Sequence, residues 1–124
     1  MDVKLDLSFE DTGDYLHVRV RGDWTRQEIM AGIQNVAEKA QSVGQTRILL
    51  DIRELSSPKN EMDRFMAGEA IARLFPSPFK VVAPRSYDLM DKFAENVAVN
   101  RGANAMVLSD IGEAVRWLTG ATEQ

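Results

Sequence analysis

The stretch that most limits the possible folds is "RILLDIREL", residues 47 to 55. It opens as a near-continuous apolar run. Such a run suits an inner strand covered on both faces, typical of parallel sheets with helices packed on them. Its flanks agree. On the N-terminal side, Thr25-Arg26-Gln27-Glu28 fits a capping box, in which threonine and glutamate satisfy each other's free backbone N–H groups. Ile29, Ile33, Val36, Ala37, Ala40 and Val43 then recur at helical spacing, and Gly44 suits a C-terminal cap. This places a helix over roughly residues 25 to 43.

Before that helix the period is two. In "VKLDLSFE", residues 3 to 10, Val3, Leu5, Leu7 and Phe9 share one face. "DTGD" reads as a turn, and "YLHVRVRG" alternates again with Leu16, Val18 and Val20 inward. The two strands form an antiparallel hairpin. After the apolar run, a helix of about 59 to 75 places Met62, Phe65, Met66, Ala70 and Leu74 on one stripe. A short strand is centred on Lys80 to Ala83, between Pro78 and Pro84, because proline cannot continue a ladder. Ser86 caps a further helix with Leu89, Met90, Phe93 and Val97 on its apolar face, ending at Asn100-Arg101-Gly102. "NAMVLSD" is the last strand. Asp110 and Glu113 start a last helix that Gly120 ends. The expected fold is an α/β domain over residues 1 to 120: a mixed, mostly parallel sheet of about five strands with four helices and right-handed crossovers. Residues 121 to 124 read as a frayed tail.

Composition excludes several functions. Of 124 residues, none is cysteine and one is histidine, so disulfides, thiol catalysis and cysteine- or histidine-rich metal sites are ruled out. The formal net charge of -4 argues against a general nucleic-acid binder. No 18-residue apolar run suggests a membrane span, and the N-terminus lacks the pattern of a signal peptide. A cytoplasmic location is expected, and no cofactor.

At this point the pattern resembles the STAS domain, the fold of bacterial anti-sigma-factor antagonists of the SpoIIAA-like group. The residues that carry the resemblance are the hairpin opening, "ILLDIREL" feeding a helix start, and "ENVAVNRGANAMVLSDIGEAVRWL" from 95 to 118. The last segment is similar to that family's closing block, with a helix ending in Arg-Gly, a short strand and an acidic cap. The resemblance implies a regulatory module that docks a protein, such as an anti-sigma-factor-like kinase, through the helix after the third strand. It also implies a phosphorylated serine in the connection that reads here Leu55-Ser56-Ser57-Pro58-Lys59-Asn60. The family's preceding aspartate and following glycine are missing, so Ser57 and Ser56 are candidates by position. Ser57 also has a structural reading, as the N-cap before Pro58 at the first helical position, with Asn60 and Asp63 a competing cap. The partner-binding candidates are Lys59, Asn60, Met62, Asp63 and Met66. A homodimer is compatible with the sequence.

Catalysis finds little support. By alternation His17 lies on the outward side of its strand and reads as solvated. Asp51 and Glu54 are an acid/base candidate pair, although a carboxylate there more often pairs with an arginine such as Arg53 or Arg64. No Gly-rich phosphate loop is present. The favoured expectation is a non-enzymatic protein-binding module. The alternative is a small-molecule or lipid-binding domain with a pocket between sheet and helices.

Overall fold

A computed structural model of the chain describes residues 5–56, 60–85 and 93–120. Among the described residues, the elements run β1 (Asp6–Asp11), β2 (Leu16–Gly22), α1 (Arg26–Val43), β3 (Arg47–Leu55), α2 (Glu61–Leu74), β4 (Lys80–Pro84), α3 (Phe93–Asn100), β5 (Ala105–Leu108) and α4 (Ile111–Thr119). The strands form one sheet in sequence order, with β1 antiparallel to β2 and every other pair parallel. The expected mixed α/β sheet and its opening hairpin are borne out.

The strand order fixes the layers. Each parallel connection steps one strand in the same direction, and crossovers share one hand, so the crossover helices fall on one face of the sheet. There α1 and α2 bury Ile29, Ile33, Val36, Ala67 and Ala70 against Leu16, Val18, Val20, Ile48 and Val81. The last helix, α4, follows the final strand and packs on the opposite face, where Ala114 and Leu118 meet Leu49 and Val82. The apolar run of β3 is thereby covered on both faces, Ile48 by one layer and Leu49 by the other.

Local chemistry sets most boundaries. The Glu28 backbone N–H donates to Thr25 Oγ1, and Gly44 ends α1 at φ 72°. Glycine adopts that left-handed conformation without the steric cost a Cβ brings. At α4, the Glu113 N–H donates to the Asp110 carboxylate at 2.8 Å. The start of α2 differs from the first expectation: Asn60, rather than Ser57, is its N-cap, and the Asp63 N–H donates to Asn60 Oδ1 at 3.0 Å. The buried side of α2 also differs from the expected stripe. It comprises Asp63, Ala67, Gly68 and Ala70. Met62 points away from the core, being 55% exposed. Ser86, Leu89 and Met90 lie outside the described residues.

Candidate functional site

The C-terminal ends of β2 to β5 share one edge of the sheet, because those strands are parallel. Ligands of open α/β sheets gather at that edge. Here β2 and β3 are clasped by Ser56. Its N–H donates to Gly22 O at 3.0 Å, and its Oγ accepts the backbone N–H of Trp24 at 2.8 Å. Ser56 therefore fixes where the chain leaves β2 and so where the Trp24 indole sits. Ser57 and Lys59 lie outside the described residues.

The remaining candidates divide. Asn60 is exposed, with its side chain engaged as the cap of α2. Asp63 is only 8% exposed, and its Oδ1 accepts from Arg26 Nε at 2.7 Å, tying the first turn of α2 to the start of α1. Its carboxylate is thus occupied within the fold. Met66 is half-buried, whereas the Met62 side chain stands clear of the surface.

Between the sheet and α1, α2 and α3 lies a cavity of about 150 Å³. Its walls are overwhelmingly apolar, and their composition explains the space. Gly32 of α1, Ala67 and Gly68 of α2, Ala98 of α3, Ala83 of β4 and Ala105 of β5 all contribute. These small residues converge from five elements and leave volume that Leu50, Ile52 and Ile71 do not fill. Gly32 has a second reason to be glycine: a Cβ there would stand 3.2 Å from Leu5 Cδ2. Phe65 is not part of that wall; its ring lies beneath the Arg101 guanidinium at 4.9 Å. Phe93 and Met90 fall outside the described side chains.

Three charged residues, Arg64, Arg85 and Glu95, reach the cavity wall. Arg85 is 5% exposed and donates from Nη1 to Ile52 O at 2.8 Å. Burial, and then the nearby Arg64 charge, pull its pKa below the usual guanidinium range. Glu95 Oε2 accepts the Val107 backbone N–H at 3.2 Å. Trp24 also lines the cavity, and its indole Nε1 is buried with no hydrogen-bond partner among the described residues.

The opposite face carries a polar cluster, and it corrects the reading of His17 as a solvated residue. His17 does lie off the main core face, but its side chain is only 11% exposed, with Nε2 3.2 Å from Asp51 Oδ2. Arg53 binds the same carboxylate through Nε and Nη2, both at 2.8 Å. Burial alone would raise the Asp51 pKa; hydrogen bonds from Arg53 and His17 outweigh it and hold the carboxyl below its ordinary value. Asp51 and Glu54 are not brought together. Glu54 lies 3.7 Å from Arg21 instead. No group of three or more potential metal ligands occurs among the described residues. Nor, among them, is any helix long and apolar enough to cross a membrane.

The sequence offers a pocket between sheet and helices as its alternative expectation, without fixing the lining. Gly68, a costly residue in mid-helix, is the one local sign of that lining. Gly68 contributes to the cavity wall, with small residues that periodicity treats as ordinary core.

No family model matches the chain, and no curated protein matches it in sequence. Among solved structures, the chain is similar to an uncharacterized protein of the DUF3478 family from Shewanella loihica PV-4, which has a SpoIIAA-like fold. The likeness covers 95% of this chain and 96% of that one, at a TM-score of 0.57 and 22% identity. The order of strands, the layers and this likeness together establish that the chain has a SpoIIAA-like fold.

Proposed function

We propose that the chain is a non-enzymatic binding domain that takes a small, largely apolar molecule between its sheet and helices α1 to α3. One observation carries this reading: the cavity of about 150 Å³ with its almost wholly apolar lining. Protein interiors are normally packed to crystal-like density, with few voids larger than a water molecule. An apolar cavity of this size is known to accommodate a molecule such as benzene. Leaving such a volume without packing atoms costs stability, because the side chains that line it lack contacts on one side. A fold that keeps small residues from five elements around one volume regains that energy when a ligand supplies the missing contacts. The charged groups favour binding over catalysis. The described walls hold one carboxylate, Glu95, which already accepts a backbone N–H.

The test is a thermal melt with benzene or methylcyclohexane near saturation. At a concentration of about 100 times Kd, linkage predicts roughly 2.7 kcal/mol of added stability. An unchanged melting temperature, together with an unperturbed amide NMR spectrum, rules the reading out.

A second reading, cytoplasmic docking of a protein such as an anti-sigma-factor-like kinase, is favoured by Met62. This residue stands 55% exposed on the first turn of α2, next to the connection that the SpoIIAA-like resemblance marks as regulatory. Phosphate on Ser57 or Ser56 would gate it. At Ser56 the group would fall on the oxygen that holds the Trp24 N–H. Here Met62→Asp abolishes complex formation and leaves the fold intact. Undiminished binding of the partner by that variant eliminates the surface.

A further inference from the structure

Resting on the ligand-binding reading, we infer that the Trp24 indole N–H is the polar contact of the cavity, and that the ligand is a compact apolar molecule bearing one hydrogen-bond acceptor, of the ketone, ester or ether class. Trp24 forms part of the cavity wall. Its Nε1 is buried and has no hydrogen-bond partner among the described residues. A buried tryptophan N–H ordinarily finds an acceptor, and leaving it without one carries a desolvation cost. The indole is also held in place from behind: the Trp24 backbone N–H donates to Ser56 Oγ, and Ser56 N–H donates to Gly22 O. Ser56 is thus a positioning residue for the indole.

The three charged groups at the wall, Arg64, Arg85 and Glu95, are engaged within the fold. Arg85 binds Ile52 O, and Glu95 takes the Val107 N–H. An incoming carboxylate would have to surrender its hydration in an almost wholly apolar space, facing Glu95 and two guanidinium groups, Arg64 and Arg85, that are already engaged within the fold, which is unfavourable. A neutral carbonyl or ether oxygen gives up far less water and satisfies the indole. The acceptor, not added bulk, is what the site selects.

The test uses the full chain labelled with ¹⁵N and two probes of matched size, cyclohexanone and methylcyclohexane. The chain has two tryptophans, so two indole N–H signals appear, and Trp117→Phe assigns them. Trp117 lies on α4, on the opposite face of the sheet, and serves as an internal control. Cyclohexanone should move the Trp24 indole proton downfield, while methylcyclohexane binds without that displacement. Trp24→Phe should weaken cyclohexanone by about three- to tenfold, the worth of one hydrogen bond, and leave methylcyclohexane within about twofold. If both probes bind and the ketone leaves the Trp24 indole proton in place, the inference is overturned while the binding reading stands. Equal weakening of both probes by Trp24→Phe overturns it in the same way. If neither probe binds, the binding reading itself fails and takes the inference with it. Should Trp24→Phe not fold, the indole displacement in the unaltered chain decides alone.

Discussion

Ser56 Oγ sits 2.8 Å from the backbone nitrogen of Trp24, 32 residues away in sequence, and this contact ties the exit of β2 to the exit of β3. Ser56→Ala removes the acceptor and leaves a partly buried N–H without a partner. The expected cost is about 1–3 kcal/mol. Urea denaturation should show a lower midpoint at unchanged slope, since the surface exposed on unfolding stays the same. Ser56→Thr keeps the oxygen and should recover most of the loss. A midpoint unmoved in Ser56→Ala would show that the clasp contributes nothing.

What was legible in the sequence was what local chemistry decides. Thr25 and Asp110 cap their helices as their spacing indicates, and the hairpin follows from strict alternation. The start of α2 was not legible, because Ser57-Pro58 and Asn60-x-x-Asp63 are both good starts. The choice goes with Arg26, distant in sequence, whose guanidinium binds the Asp63 carboxylate. The placement of His17 off the core face was legible too; its burial was not. An outward residue is solvated only where no neighbour covers it, and Asp51 comes from a different strand. The cavity is the least local feature of all, being a sum of small residues from five elements.

The Arg26–Asp63 pair joins two helix starts, with the carboxylate buried and the guanidinium nearly half exposed. Asp63→Ala removes a charge-assisted hydrogen bond and leaves Arg26 free to turn to solvent, so the penalty is bounded. About 1–3 kcal/mol is expected. Arg26→Ala should cost more, because it strands the buried carboxylate. Comparing the two midpoints with that of the double variant gives the coupling energy directly. A coupling near zero would show the pair to be incidental.

Asp51 predicts an acid limb in the stability profile. Its folded-state pKa lies below the ordinary 3.8, because hydrogen bonds from Arg53 and His17 outweigh the burial penalty. The unfolded chain therefore binds the proton more readily than the folded one. The resulting stabilisation is fully present above the unfolded value, near pH 4, and is lost as pH falls through the folded value below it. Asp51→Asn should flatten that limb below about pH 4. Urea midpoints across that range test it, and an equally steep acid limb in Asp51→Asn assigns the effect to other carboxylates.

Filling the cavity from inside separates its two roles, as packing defect and as binding site. Ala67 on α2 and Ala98 on α3 are buried and line it from different helices. Leucine has high helix propensity, so Ala67→Leu or Ala98→Leu places three extra carbons in the volume at little backbone cost. Where the side chain enters the space without strain, stability should rise by about 0.5–2 kcal/mol, the usual return for cavity filling. The same variants should lose the stabilisation by methylcyclohexane expected of the unaltered chain, since the carbons of leucine occupy the place of the probe. Stability and ligand response thus move in opposite directions, a result that simple damage to the fold cannot give. A variant that becomes less stable yet still responds fully to the hydrocarbon would mean that the walls close up around a smaller volume and that the ligand binds elsewhere.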